Sequence, residues 1–209
     1  QMQKLSDTES IDLHVFVMLP RTMIKHAKMN AYTIGSYPQK AGGNGDLYAP
    51  PEGFVQIREG DLDIALSPHF SLGQFLCKQA GGFPKYAVLR ENLLLQLEFL
   101  LERLNAAGVH SDRLVIMSAY RTPFYNREIG NVPFSRHLWG DAADIYIDEH
   151  PRDGIMDDLN GDGRSDRGDA EWLYDFIEKL RGGLDRPGLP GGMGVYGSTP
   201  FHGPFVHID

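Results

Sequence analysis

A run of leucines restricts the fold more than any other feature. In "PKYAVLRENLLLQLEFLLERLNAAG", residues 84–108, Val88, Leu89, Leu93, Leu97, Leu100, Leu101 and Leu104 recur at steps of three and four, the spacing that gathers side chains on one side of an α-helix. Gly108 stands where a helix C-terminus takes a glycine. So broad an apolar face needs cover from several elements, so this helix is expected at the centre of a core. The segments "RLVIMS" (113–118), "ADIYID" (143–148) and "PFVHID" (204–209) read as strands that supply the cover. "AEWLYDFIEKLRGG" (170–183) reads as a second amphipathic helix, with Trp172, Leu173, Phe176, Ile177 and Leu180 on one side. A short helix is expected in "SPHFSLGQFLCKQ" (67–79), and "AYRTPFYNREIGNVPF" (119–134) reads as a turn-like connection.

Before residue 67 the texture is that of short strands and turns. "LHVFVML", with Leu13, Val15, Val17 and Leu19 alternating, "AYTIGSYP" and "GFVQIREG" are separated by the Gly/Asn-rich "KAGGNGDLYAPP" (40–51). The chain is therefore read as α+β, with a β-rich segment over 1–66 and a main domain over 67–209 in which a small antiparallel sheet packs against helices. A length of 209 residues suits one main core. Twenty Lys and Arg against 28 Asp and Glu give a formal charge of −8 with no basic run, which argues against a nucleic-acid partner. No stretch approaches the roughly 18 apolar residues of a membrane span. Cys77 is the only cysteine, which excludes an intrachain disulfide. A chain that opens on Gln1 is expected to have lost a leader.

The chemistry concentrates in "SRHLWGDAAD", residues 135–144. Side chains alternate on a strand, so Asp144 points away from the apolar Ala143 and Ile145, and the small residues beside it leave room for a ligand. On the last strand His207, between Val206 and Ile208, likewise faces away from the apolar side. With His137 this makes two imidazoles and one carboxylate, the ligand set of a catalytic zinc site that keeps a fourth position for water. The sheet is thus expected to carry the zinc.

These residues resemble the zinc D-alanyl-D-alanine carboxypeptidases and dipeptidases of bacterial cell-wall metabolism, the VanY- and VanX-like enzymes, whose fold is shared with the hedgehog signalling domain. The family pattern Ser-x-His-x-x-Gly-x-Ala-x-Asp is met by Ser135, His137, Gly140, Ala142 and Asp144. "SAYRTPFYN" looks like the family's Ser-Gly-Tyr-Arg segment, with Ala119 in place of the glycine, and "FVHID" looks like its third-ligand strand. "YTIGSYP" is similar to extra segments of the VanY-like branch. The resemblance covers residues 67–209. It implies that His137, Asp144 and His207 bind Zn²⁺, that Ser135 lies beside the site, and that Arg121 contacts the substrate. A guanidinium fork suits a substrate carboxylate.

The pattern departs at one point. Many relatives carry Glu or Asp three residues before the last histidine as general base, and Pro204 stands there. Two groups are candidates for the proton chemistry. His202, five residues before His207, matches a second active-site histidine of some relatives, and Asp209 shares the strand face of His207, where it can accept a proton or orient a ligand.

A separate pattern lies in "DLNGDGRSDRGD", residues 158–169. Asp158, Asn160, Asp162, Asp166 and Asp169 occupy positions 1, 3, 5, 9 and 12 of a Ca²⁺ loop, with Gly163 at position 6 and the Arg164 carbonyl at position 7. The loop resembles those of dockerins and EF-hands, with Asp in place of the final Glu. Asp169 is expected near the N-terminus of a helix that begins at Ala170.

The expected function is a zinc metallopeptidase that cleaves D-amino-acid-containing bonds of peptidoglycan stem peptides, as a D,D-carboxypeptidase or an endopeptidase. It is expected in the periplasm or outside the cell, as a monomer. The alternative, which Pro204 permits, is a metal-containing module that lacks the base and only binds wall peptides. A third reading keeps the calcium loop alone, as part of a secreted interaction module without zinc.

Overall fold

The structure is a computed structural model describing residues 14–39, 45–183 and 191–209. Leu13 and residues 40–44 of the Gly/Asn-rich stretch lie outside the described residues.

The chain begins with β1 (Met18–Pro20), β2 (Lys28–Met29), β3 (Tyr32–Thr33), β4 (Gly53–Ile57) and β5 (Lys85–Ala87). It continues through α1 (Glu91–Ala106), β6 (Val115–Ser118), α2 (Pro123–Glu128), β7 (Ala143–Tyr146), α3 (Arg167–Gly182), β8 (Met193–Tyr196) and β9 (Phe205–Ile208). β2 and β3 form a small ladder, β1-β4-β5 form one antiparallel sheet, and β6-β7-β9-β8 form a second antiparallel sheet. This is the α+β class expected.

The leucine face behaves as its spacing predicts. Leu93, Leu97, Leu100, Leu101 and Leu104 of α1 are buried in one cluster with Ala143 and Ile145 of β7, Val206 and Ile208 of β9, and Leu173 and Ile177 of α3. Strand alternation then turns Asp144 and His207, which are paired in register, to the opposite side of the sheet from that core. A second cluster holds Met29, Ile34, Phe54 and Ile57 from the first part of the chain together with Cys77, Tyr86 and Tyr120. The first sheet therefore draws on both sides of residue 66, because β5 pairs with β4.

Several local expectations are corrected. Lys85–Ala87 is a strand rather than the start of the long helix, because fully buried Tyr86 is paired opposite Gln56, and α1 starts only after Arg90 in an extended conformation (φ −91°, ψ 133°). The connection at 119–134 contains α2, which has a strong start signal: Thr122 Oγ1 accepts the Tyr125 N–H at 3.0 Å and Pro123 opens the helix. The short helix after Ser67 is a 3-10 turn, Leu72–Phe75. In the first stretch only Met18–Pro20 is paired, and with Val15 76% and Val17 79% exposed, Leu19 alone of the alternating residues described packs, partly buried, against a core cluster. β8 escaped the sequence reading.

Candidate metal centre

His137 lies on a 3-10 turn, Arg136–Trp139, that ends at Gly140 in the left-handed region (φ 72°). That turn is held from several sides. Its His137 carbonyl accepts the Arg121 N–H at 3.1 Å, and the Leu138 carbonyl accepts the Tyr37 hydroxyl at 2.9 Å. Trp139, fully buried, donates Nε1–H to the Ala49 carbonyl at 3.0 Å and meets Tyr37 and Tyr48 edge-on. Arg136 pairs with Asp141, lies over the Tyr48 and Trp139 rings, and donates to the Leu47 carbonyl at 2.7 Å. The β-rich segment thus clamps the turn that carries the first candidate ligand. Sequence reading missed this clamp, since nothing local links Tyr37 or Ala49 to residues about a hundred positions away.

Asp144 on β7 and His207 on β9 meet His137 across the sheet. His137 Nε2 is 3.1 Å from Asp144 Oδ1 and 3.2 Å from His207 Nδ1, and His207 Nδ1 is 2.8 Å from Asp144 Oδ1. Among the described residues this is the one group of three His, Cys, Asp or Glu whose ligand atoms lie within 4.8 Å of one another. With zinc–nitrogen and zinc–oxygen bonds of about 2.0–2.1 Å, two ligand atoms of a tetrahedral ion are about 3.3 Å apart. The edges of 3.1 and 3.2 Å fit, and the third, at 2.8 Å, is shorter and has the length of a hydrogen bond. The support behind the ligands fits as well. His137 Nδ1 donates to the Ala119 carbonyl at 2.6 Å, which leaves the Nε2 lone pair for a metal. Asp144 gives its other oxygen, Oδ2, to the Arg121 guanidinium, whose Nε–H donates to Ser118 Oγ at 2.8 Å.

Electrostatics follow from this packing. Burial opposes ionisation of Asp144, but hydrogen bonds from His137 and His207 and the Arg121 charge outweigh it and hold the carboxyl well below its ordinary range. Burial lowers the His137 pKa and keeps that ring neutral, the form that binds metal. Burial also pulls on His207, but hydrogen bonds with Asp144 and Asp209 raise it to about 9.

The other predicted residues fall as follows. Arg121 is buried and faces Asp144 and Ser118, so the carboxylate it holds here belongs to the protein. Ser135 is buried one residue before the turn that bears His137. Asp209 Oδ2 lies 3.3 Å from His207 Nε2. His202 donates Nδ1–H to the Gly203 carbonyl at 2.8 Å and meets, edge-on at 5.1 Å, the ring of Phe205, a residue that shares the His207 face of β9. Ser118 and Ala119 stand in the segment that resembles the family's Ser-Gly-Tyr-Arg, but sequence reading assigns them no role; here Ser118 Oγ and the Ala119 carbonyl support the site from the end of β6.

Residues 69–171 match the family model of Peptidase M15. The match spans just under half of the chain; it includes His137 and Asp144 and stops short of His207. It supports the M15 peptidase superfamily for this chain, and peptidases of that family are typically zinc-dependent. No curated protein and no solved structure matches.

The acidic loop is elsewhere. Asp158 accepts the N–H groups of Gly161, Asp162 and Gly163, Asn160 accepts that of Asp162, and Asp162 accepts that of Arg164. The helix starts at Arg167 rather than Ala170: Asp166 is its cap, accepting Gly168 N–H at 2.7 Å, and fully buried Asp169 returns a bond to the Asp166 N–H at 2.8 Å. Among the described residues no helix is long and apolar enough to cross a membrane.

Proposed function

We propose that this chain is a zinc-dependent peptidase that hydrolyses D-amino-acid-containing bonds of peptidoglycan stem peptides, as a D,D-carboxypeptidase or an endopeptidase. One observation carries the metal part: the triangle of His137 Nε2, Asp144 Oδ1 and His207 Nδ1, with edges of 2.8–3.2 Å and the His137 tautomer fixed by a backbone carbonyl. The M15 match supports the peptidase part. The wall-peptide part rests on the resemblance carried by Ser135, His137, Gly140, Ala142 and Asp144.

In this reading His137, Asp144 and His207 hold the ion. Zinc supplies Lewis acidity there, polarising a carbonyl and acidifying water. The chain does the rest. Arg121 keeps Asp144 ionised and turns Oδ1 towards the imidazoles; its substrate-carboxylate duty requires the guanidinium fork to be shared with Asp144. Ser135 sits at the entry to the same turn, beside the substrate. His202, next to Phe205 on the face of β9 that bears His207, carries the proton to the leaving amine. A wall substrate puts the chain in the periplasm or outside the cell, where it acts as a monomer.

Pro204 favours a second reading, a metal-containing module that binds wall peptides without cleaving them. Release of D-alanine from defined muropeptides by purified protein, metal-stripped and zinc-reloaded, separates the two. Zinc-dependent release supports the peptidase; binding without release supports the module.

The loop at 158–169 is proposed to take Ca²⁺ through Asp158, Asn160, Asp162, the Arg164 carbonyl, Asp166 and Asp169. Its ligand spacing and its tight turns around Asp158 and Asp162 support this.

A further inference from the structure

The geometry points to Asp209 as a positioning residue that selects the metal-ligating tautomer of His207. The inference rests on the zinc reading above.

A neutral imidazole has one N–H and one lone pair, and only the nitrogen with the lone pair binds metal. In His207 the atom turned to Asp144 Oδ1 (2.8 Å) and His137 Nε2 (3.2 Å) is Nδ1. The proton must then sit on Nε2, which faces Asp209 Oδ2 at 3.3 Å. A carboxylate oxygen accepts hydrogen bonds; with Asp144 Oδ1 given to the metal rather than to an Nδ1–H, Asp209 Oδ2 is the acceptor that holds the proton on Nε2.

Asp209 is itself held in place. Its Oδ1 accepts the Gly192 N–H at 2.5 Å, and its own N–H donates to the Gly192 carbonyl at 3.0 Å. The two carboxylate oxygens therefore have separate partners, backbone for Oδ1 and imidazole for Oδ2. Bare backbone makes the seat: a Cβ on Gly192 would lie 3.0 Å from Oδ2, and one on Gly191 would lie 1.4 Å from the Asp209 carbonyl oxygen. His137 receives its tautomer from the Ala119 carbonyl, which no side-chain substitution removes. For His207 the same task falls to a side chain, and it can be tested. Asp209 acts through His207 rather than on water.

The test compares zinc affinity of the full-length wild type, Asp209→Ala and Asp209→Asn by competition with a chromophoric chelator, with thermal melts of the metal-free proteins alongside. Asp209→Ala removes the acceptor and is expected to weaken zinc binding about 10–100-fold, the usual cost of losing such a partner. Asp209→Asn is expected to be worse. Its oxygen stays on the Gly192 N–H, so its NH₂ faces Nε2 and donates to it, which moves the proton to Nδ1, the ligating atom. A carboxylate with a merely structural role predicts the reverse order, because Asn keeps the size and the Gly192 contact. An Asn variant that folds and binds zinc as the wild type does, or more tightly than the Ala variant, overturns the assignment; if the Ala variant fails to fold, Asn against wild type decides alone. A wild type that binds no zinc overturns the zinc reading and this inference with it.

Discussion

Gly140→Ala tests how the fold positions the first ligand. Gly140 closes the turn bearing His137 with φ 72° and ψ 24°, a conformation that costs a residue with a side chain roughly 1–2 kcal/mol. An added Cβ would also lie 2.2 Å from the Val88 carbonyl oxygen and 2.9 Å from the Leu89 nitrogen. Those are backbone atoms and cannot swing aside. Forcing them apart costs about 1–3 kcal/mol more and strains the bond of 2.8 Å from the Arg90 N–H to the Gly140 carbonyl. Gly130 is the control, because its φ is 69° and an added Cβ meets nothing within 4 Å. Urea denaturation of the metal-free proteins should therefore show Gly140→Ala less stable than Gly130→Ala by about 1–3 kcal/mol, with a melting temperature lower by roughly 2–10 °C. The Gly140 N–H donates to the His137 carbonyl at 3.3 Å, so the displacement reaches the ligand, and Gly140→Ala alone should weaken zinc binding. Equal stability losses in the two variants, or unchanged zinc affinity in Gly140→Ala, would refute the reasoning.

Other outcomes follow from the same geometry. The Arg121 and Asp144 side chains are 8% and 4% exposed, so Arg121→Leu leaves a buried carboxylate uncompensated and should cost about 3–5 kcal/mol without metal, and less with zinc bound; equal losses in both states count against the charge argument. His202→Ala should retain zinc while turnover falls about 10²-fold or more, and a rate like that of the wild type removes His202 from the proton chemistry. Asp158→Ala or Asp162→Ala should abolish a calcium-induced rise in melting temperature and leave zinc in place, whereas a wild-type melt indifferent to calcium removes that site.

Periodicity carried what is local. Five leucines of α1 are buried as their spacing requires, and Asp144 and His207 face away from the core because strands alternate. The metal cluster was readable because its three residues stand in distinctive short stretches. What could not be read depends on partners distant in sequence. Lys85–Ala87 runs directly into the helical spacing that starts at Val88, yet β4 recruits it as a strand. Met193–Tyr196, only four residues long and interrupted by Gly194, gains its conformation from pairing with β9. The clamp of Tyr37, Tyr48 and Ala49 on Trp139 joins segments that only the fold brings together. The start of α2 is the opposite case, since Thr122 followed by Pro123 is a local helix signal.

The central claim is that one zinc ion on His137, Asp144 and His207 makes this chain a peptidase. Its most direct test is a titration of metal-stripped protein with zinc in which bound metal and D-alanine release from a defined muropeptide are read on the same samples. The account predicts that release rises in proportion to bound zinc up to one ion per chain, and that His137→Ala and His207→Ala show neither binding nor release. Hydrolysis that persists in the stripped protein, or in either variant, would contradict it.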